Sequence, residues 1–324
     1  MGTIFKAFGH FIPQKLIGNS ELSKRFAVSE EWIEERTGIL QRCYYEHGAT
    51  SDMIVEAVKR SLIERKFDLN EIDCLIVATM TPDFRCPSTA AIVQKKLGIN
   101  HTFAFDIMAA CSGFLYALQL ADSLITSGKY KNIIVAGADK MSSVIDHNDR
   151  KTTLVLGDGS GVCIISKSEM ENHVLNTFCS LDSDISDWVT IPNGGSMKPI
   201  NEDIFQEQNH FLRFQNKKIF EGGIELFIKA INEILQKTNL SFNEIDLIIP
   251  HQANKRILEE LAKRLDITIE KFFINVENIG NTSAASIPIA LSQANEQRKL
   301  KGKILLISIG AGFTYAASLI TLKI

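Results

Sequence analysis

Three residues of this 324-residue chain stand where side-chain chemistry collects in α/β proteins, just beyond short apolar runs that read as β-strands. Cys111 follows FAFDIMAA, His251 follows EIDLIIP and Asn281 follows FFINVENIG. A thiol on a turn leading into a helix can act as a nucleophile, and a nearby imidazole favours its thiolate. Cys111 lies in DIMAACSGFLYAL, on a turn that leads into a helix. The helix dipole and its free N–H groups are expected to lower the thiol pKa there. Ala109, Ala110, Ser112 and Gly113 are small enough to leave the sulfur approachable. Each residue alone has an ordinary explanation: an inert core thiol, a hydrogen-bonded imidazole, a turn or cap in IGNTS. What joins them is the frame that carries them.

That frame is a duplication. IVEAVKRSLIERKFDLNEIDCLIVATM (Ile54–Met80) is answered by IELFIKAINEILQKTNLSFNEIDLIIP (Ile224–Pro250). VQKKLGI is answered by LAKRLDI, FAFDIMAACSGFLYALQLA by FFINVENIGNTSAASIPIA, and SGKYKNIIVAGADKMS by RKLKGKILLISIGAGFTYAA. Four blocks recur in one order with similar spacing, the mark of an internal repeat. Each half alternates helix and strand, which predicts a mainly parallel sheet covered by helices. The Ala-, Ser- and Leu-rich helices after Cys111 and Asn281 carry few charges and are expected between the layers. Two halves packed helix to helix give an α/β/α/β/α sandwich, with the seam in polar IISKSEMENH (Ile164–His173). We divide the chain at 1–168, with the thiol, and 169–324, with the His and Asn. A twofold relation between the halves brings Cys111 and Asn281, at near-equivalent points, toward each other.

Composition narrows the function classes. Apolar residues make up 45% and charged residues 23%, and the net charge of −3 gives no general footprint for nucleic acid. The six cysteines form no CxxC pair and no zinc-type spacing, so they read as reduced thiols of a cytoplasmic protein. No stretch approaches the roughly 20 apolar residues of a membrane span, and the N-terminus lacks a signal-peptide apolar core. GDGSG (Gly157–Gly161) lacks the GKS/T ending of a phosphate loop and reads as a tight turn.

Six motifs in order make the sequence resemble the β-ketoacyl-acyl carrier protein synthase III family of the thiolase superfamily. They are EEWIEERTGI, AACSGF, DRKTTLVLGDGSG, IIPHQAN, GNTSAASIP and GAGFTYAA. The resemblance implies the thiolase-like five-layered fold and a homodimer. It implies an enzyme that condenses an acyl-CoA primer with malonyl-acyl carrier protein, losing CO2, with no cofactor. Cys111 then carries the acyl group, while His251 and Asn281 bind the malonyl thioester oxygen. Backbone N–H groups of Cys111 and Ala311 form a second oxyanion hole. The family usually has Gly at the position of Ala311, so the alanine demands an ordinary φ there. Trp32, Arg36 and Arg150 match contacts to the CoA nucleotide, and Asn254 matches a polar position along the pantetheine channel. Arg256 matches a basic contact to the acidic carrier protein, and Lys255, Lys263 and Arg264 extend that charge along the same helix.

Departures from the family pattern bear on the primer. TPDFRCPSTA has Cys86 where many members carry Phe, a residue that limits the acyl pocket across a dimer interface, and RFQNKKIF (Arg213–Phe220) replaces a Met-Asn-Gly version. These changes predict an acyl pocket wide enough for longer or branched groups, unless Phe84 fills the space. A ketosynthase of specialised lipid or polyketide synthesis is the main alternative. More remote are a cysteine-dependent thioester hydrolase, from the Cys-His-Asn chain order, and a noncatalytic ketosynthase-like subunit. The C-terminal segment lacks the second cysteine of a biosynthetic thiolase.

Overall fold

The computed structural model describes residues 2–63, 67–100 and 102–322. Two sheets form the frame. The first holds β1 (Gly2–Phe11), β2 (Cys74–Ala78), β3 (Phe103–Ile107), β4 (Asn132–Lys140) and β5 (Asp158–Ser168) in the order β1-β5-β4-β2-β3. The second holds β6 (Val174–Leu181), β7 (Leu247–Pro250), β8 (Gly302–Gly310) and β9 (Thr314–Leu322) in the order β7-β8-β9-β6. The principal helices are α1 (Glu30–Thr37), α2 (Thr50–Ser61), α3 (Thr89–Leu97), α4 (Gly113–Thr126), α5 (Asn216–Thr238), α6 (Lys255–Arg264) and α7 (Ser286–Glu296).

The duplication survives in the topology. β2 runs parallel to β4, which pairs antiparallel with β5, which pairs antiparallel with β1. In the second sheet β7, β8, β9 and β6 repeat those directions in the same order. The counterpart of β3 has shrunk to one parallel bridge, Ile248 to Phe272. The sheets are therefore mixed, which corrects the expectation of a mainly parallel fold. The repeated blocks contain the parallel strands with their crossover helices. Of the antiparallel neighbours, β8 and β9 join through three residues, as a hairpin allows, whereas β4 reaches β5 through a longer connection holding the short helix Arg150–Thr153.

Strand periodicity sorts side chains between layers. Cys74, Ile76 and Ala78 of β2 face the centre with Ile304 and Leu306 of β8. Phe114, Leu118 and Ala121 of α4 and Ile287, Leu291 and Ala294 of α7 fill the space between them. Leu75 and Val77 point the other way, onto α2 and α3, while Leu305 and Ile307 meet α5 and α6. Both faces of each sheet are covered, so the strands read as continuous apolar runs. The result is a five-layered α/β/α/β/α sandwich.

GDGSG is not a turn: from Asp158 onward it is the buried start of β5. Its glycines permit close packing instead. A Cβ on Gly161 would collide with the Ile289 amide nitrogen, just as one on Gly137 of the neighbouring strand β4 would collide with the Ala284 carbonyl oxygen. Any side chain at either place pushes α7 off the first sheet.

Candidate active site

The chain enters α4 through a tight turn. Ala110 takes a left-handed φ of 45° and a 3-10 turn over Ala110–Ser112 leads into Gly113. The second half repeats the device: Ser283 has φ 52°, and a 3-10 turn over Ser283–Ala285 leads into α7. Position for position, Ala284 rather than Asn281 is the counterpart of Cys111, and Asn281 sits just before the turn. The two turns meet, with Cys111 Sγ 3.5 Å from Ser283 Oγ. Thr314 Oγ1 donates to Ala109 O at 3.1 Å and Ser112 Oγ to Thr314 O at 3.3 Å, clamping the cysteine turn onto β9. A Cβ on Gly310 would lie 2.9 Å from the Cys111 amide nitrogen, so the end of β8 runs directly past that N–H. Ala311 follows with an ordinary φ, and the left-handed position falls on Gly312 at 108°.

His251 is held at the end of β7 by its N–H to Ile307 O, 2.7 Å. Its ring is buried, with Nδ1 2.7 Å from Ser286 Oγ, and burial lowers its pKa to about 3. The imidazole is therefore neutral at physiological pH. Asn281 is fixed on both sides: its N–H donates to Val155 O and its carbonyl accepts from Gly157 N, each 2.9 Å. Its Oδ1 accepts from Ser283 N at 2.9 Å, which orients the amide so that Nδ2 is the free donor. One Nδ2 hydrogen reaches Ala253 O at 3.3 Å. Fully buried Arg42 braces this region by donating to the Leu154 carbonyl.

Cys111, His251, Asn281 and Ala311 line one cavity of about 450 Å³ with Trp32, Arg36, Arg150, Asn254 and Arg256. Phe214, Ile219 and Phe220, from the divergent RFQNKKIF stretch, supply part of its apolar wall. Arg36 and Arg150 both lie over the Trp32 ring, at 4.5 and 5.4 Å from its centroid. An aromatic face between two guanidinium groups suits a base with attached phosphates. Asn254 lines the cavity and also caps α6, its Oδ1 accepting from Arg256 N at 2.9 Å while its Nδ2 reaches Arg36 O at 3.4 Å. Phe84 and Cys86 do not line the cavity within one chain. Phe84 is 62% exposed and Cys86 is exposed, in a segment tied to β3 by Thr89 and Ala90 N–H bonds to Asp106.

Two electrostatic expectations change. Burial pushes the Cys111 thiol up to about 12, outweighing the hydrogen bonds that favour the thiolate. The thiol opens only onto the cavity, and desolvation there overcomes the helix-end argument made from local sequence. The basic face of α6 is also partly neutralised. Lys255 pairs with Glu277 at 2.6 Å and Glu259 at 3.9 Å, and Arg264 pairs with Glu260 at 3.1 Å and with Glu225. Among the described residues Arg256 and Lys263 form no ion pair within 4.0 Å, and Glu31, Glu34 and Glu35 stand beside Arg256.

Sequence reasoning passed over Ser283, Ser286 and Asp139. The serines lie inside GNTSAASIP, and Asp139 ends the apolar run IIVAGAD as a fully buried carboxylate. A charge closing a core strand was the available signal. Among the described residues no group of three or more His, Cys, Asp or Glu could hold a metal ion, and no helix is long and apolar enough to cross a membrane.

Known proteins share the sequence pattern and the fold. Residues 105–183 match the family model for 3-oxoacyl-[acyl-carrier-protein] synthase III, and residues 235–322 match the model for its C-terminal region. A β-ketoacyl-[acyl-carrier-protein] synthase III of Campylobacter fetus is 40% identical over 315 residues, covering 96% of each chain. The crystal structure of 3-oxoacyl-[acyl-carrier-protein] synthase III from Aquifex aeolicus superposes with a TM-score of 0.92 at 37% identity, over 99% of this chain and 100% of that one. The priming β-ketosynthase of the R1128 polyketide pathway superposes with a TM-score of 0.91 at 28% identity, over 99% and 97%. By identity sustained along its whole length, this chain belongs to the β-ketoacyl-acyl carrier protein synthase III family.

Proposed function

We propose that this chain condenses an acyl-CoA primer with malonyl-acyl carrier protein through an acyl-Cys111 intermediate, the opening step of fatty acid synthesis. The observation that carries the reading is one cavity joining Cys111, His251 and Asn281, contributed by both halves, to a Trp-Arg mouth. CoA enters with its adenine on Trp32 and its phosphates toward Arg36 and Arg150. Cys111 sulfur attacks the thioester carbonyl, the C–S bond to CoA breaks, and the acyl group stays on Cys111. N–H groups of Cys111 and Ala311 take the charge on that carbonyl oxygen, an arrangement Ala311 permits because its φ is ordinary.

Malonyl-carrier protein then enters. As CO2 leaves, charge grows on the malonyl thioester oxygen, and His251 Nε2–H and Asn281 Nδ2–H donate to it. Nε2 carries the proton when Nδ1 accepts from the Ser286 hydroxyl, 2.7 Å away. A neutral imidazole suits this work, because it donates without requiring protonation from solvent. The carbanion attacks acyl-Cys111 and the thiolate leaves. The reaction needs no cofactor, since the thioester arrives activated.

A second copy of the chain completes the assembly. Among the described residues β3 is one of the two edge strands of the first sheet, the other being β1, with Phe103 48% and Met108 76% exposed, and Phe84 is anchored beside it. An open apolar edge favours pairing with its own kind, which sets Phe84 and Cys86 against the neighbouring chain. We assign the enzyme to the cytoplasm, and Arg256 to the carrier-protein contact.

Intact-mass analysis after exposure to a panel of acyl-CoAs, then malonyl-carrier protein, tests the reading. The expected result is one acyl group on Cys111 that disappears as β-ketoacyl-carrier protein forms. Comparable acylation by acetyl, longer and branched groups supports the wider pocket, and strict acetyl preference refutes it. Loss of the acyl group to water alone overturns condensation in favour of hydrolysis.

A further inference from the structure

α5 carries two successive glycines, Gly222 and Gly223, well inside its 23 residues. Alanine is favoured over glycine in a helix interior, so a glycine pair there calls for a reason in packing. A Cβ on Gly223 would stand 2.7 Å from Ile309 Cδ1. Among the described residues that methyl is the only atom within 4 Å of the position, chain neighbours and the helix's own backbone aside. A Cβ on Gly222 would collide with the ring of Trp188. Each glycine is thus a notch in α5, and each notch holds one side chain.

Both side chains serve the cavity wall. Ile309 lines the cavity directly and stands one residue before Gly310, which runs past the Cys111 amide. Trp188 packs edge-on against Phe313, ring centroids 5.3 Å apart at 69°, and Phe313 lines the same cavity. Ile219 and Phe220, one turn earlier in α5, line it as well. The backbone of Ile309 is pinned by its pairing with Tyr315 across β8 and β9, so its side chain is the part that can yield. α5 lies on one side of that side chain and the open cavity on the other. A methyl displaced from the notch therefore swings into the cavity that Cys111 lines.

We propose that Gly223 determines primer length: by housing Ile309 Cδ1 it keeps the cavity roomy enough for acyl chains longer than acetyl. Gly223 is a positioning residue that acts through Ile309, and Ile309 touches the acyl chain. Gly222 supports the same wall from behind, through Trp188 and Phe313. An extra methylene in an apolar pocket shifts discrimination between substrates by about 10- to 200-fold, so one notch is enough to set the primer class. The inference rests on acyl-Cys111 as the intermediate, and deepens that reading by naming a residue that selects the acyl group.

Methyl and butyl methanethiosulfonate test the notch apart from the choice of acyl donor. The Cys111 thiolate forms an S–S bond to the alkylthio group and methanesulfinate leaves, and peptide mass mapping separates Cys111 from exposed Cys86. The readout is the butyl rate divided by the methyl rate. Gly223→Ala should lower that ratio about tenfold, with the methyl rate within about threefold of wild type. Ile309→Val removes Cδ1, and in the Gly223→Ala background it should return the ratio to within about threefold of wild type. An unchanged ratio in Gly223→Ala, equal loss with both reagents, or no recovery in the double variant overturns the proposal. Thermal unfolding runs in parallel, and alanine's helix propensity favours a folded variant. If Gly223→Ala alone fails to fold, folding restored by Ile309→Val supports the notch, and folding not restored overturns it. Competition between acetyl-CoA and hexanoyl-CoA for Cys111 should follow the same order across the variants. If the alkylthio ratios behave as expected while neither acyl-CoA labels the wild type, the acyl-CoA reading falls and the notch stands.

Discussion

Asn281→Ala separates the two half-reactions. Asn281 Nδ2 is aimed by two bonds, Oδ1 to Ser283 N at 2.9 Å and Nδ2 to Ala253 O at 3.3 Å, so its donor is already oriented when malonate arrives. Losing a preorganised donor to a developing oxyanion costs about 3–4 kcal/mol, or roughly 10²- to 10³-fold in rate. The truncation also strands the buried Ser283 N–H, which costs about 1–3 kcal/mol of stability. Asn281→Asp keeps an oxygen for Ser283 but loses the donor, so it should be nearly as slow while recovering most of that stability. The assay follows 14CO2 release from malonyl-carrier protein beside single-turnover acylation of Cys111, with urea unfolding in parallel. Both variants should acylate within a few-fold of wild type while decarboxylation collapses. Decarboxylation within threefold of wild type, or equal loss in both half-reactions, refutes the role of Asn281.

Trp32→Ala should raise KM for acyl-CoA about tenfold with kcat little changed, because a stacked base is bound alike before and during acylation; a fall in kcat alone refutes the stacking. Arg256→Glu should raise KM for the carrier protein about tenfold at low salt, less as salt is added, and leave acylation intact. Steady-state kinetics at two ionic strengths measures this, and equal loss in both half-reactions refutes the contact. His251 and His10 are held neutral by burial, with pKa lowered to about 3 and about 4, while the unfolded chain protonates them near pH 6.5. Their contribution to stability is therefore complete above about pH 6.5 and lost as pH falls toward 4, each at up to about 1.4 kcal/mol per pH unit. Urea midpoints should drop accordingly, and less so in His10→Gln; an equal drop in that variant refutes the assignment for His10.

Much of this was legible in the residues. The Asn-Glu-Ile-Asp repeat revealed a duplicated frame, and the charge-poor helices after Cys111 and Asn281 do lie between the sheets. Strand direction was harder, because an apolar run such as DGSGVCIISKS carries no sign of direction and one of its two partners, β1, lies at the far end of the half. The state of the thiol was misread for a related reason. Helix-end position is local and visible in AACSGF, whereas desolvation depends on the walls that β8, α7 and distant loops build around it. Ser283 and Asp139 come together only through packing of the two halves, and no spacing rule links them. Cys86 stands where the family pattern puts a pocket-limiting residue across a dimer interface, a wall that one chain alone does not contain.

The paired turns at Ala110 and Ser283 also speak to history. A symmetric ancestor assembled from two identical halves would carry the same residue at both turns, and so would do the same thing twice. Once fused, the halves were free to specialise. One turn keeps a cysteine, and the other has Ala284 in its place with Ser283 and Asn281 alongside. The centre of this enzyme is thus a symmetric scaffold whose two ends have taken up different duties.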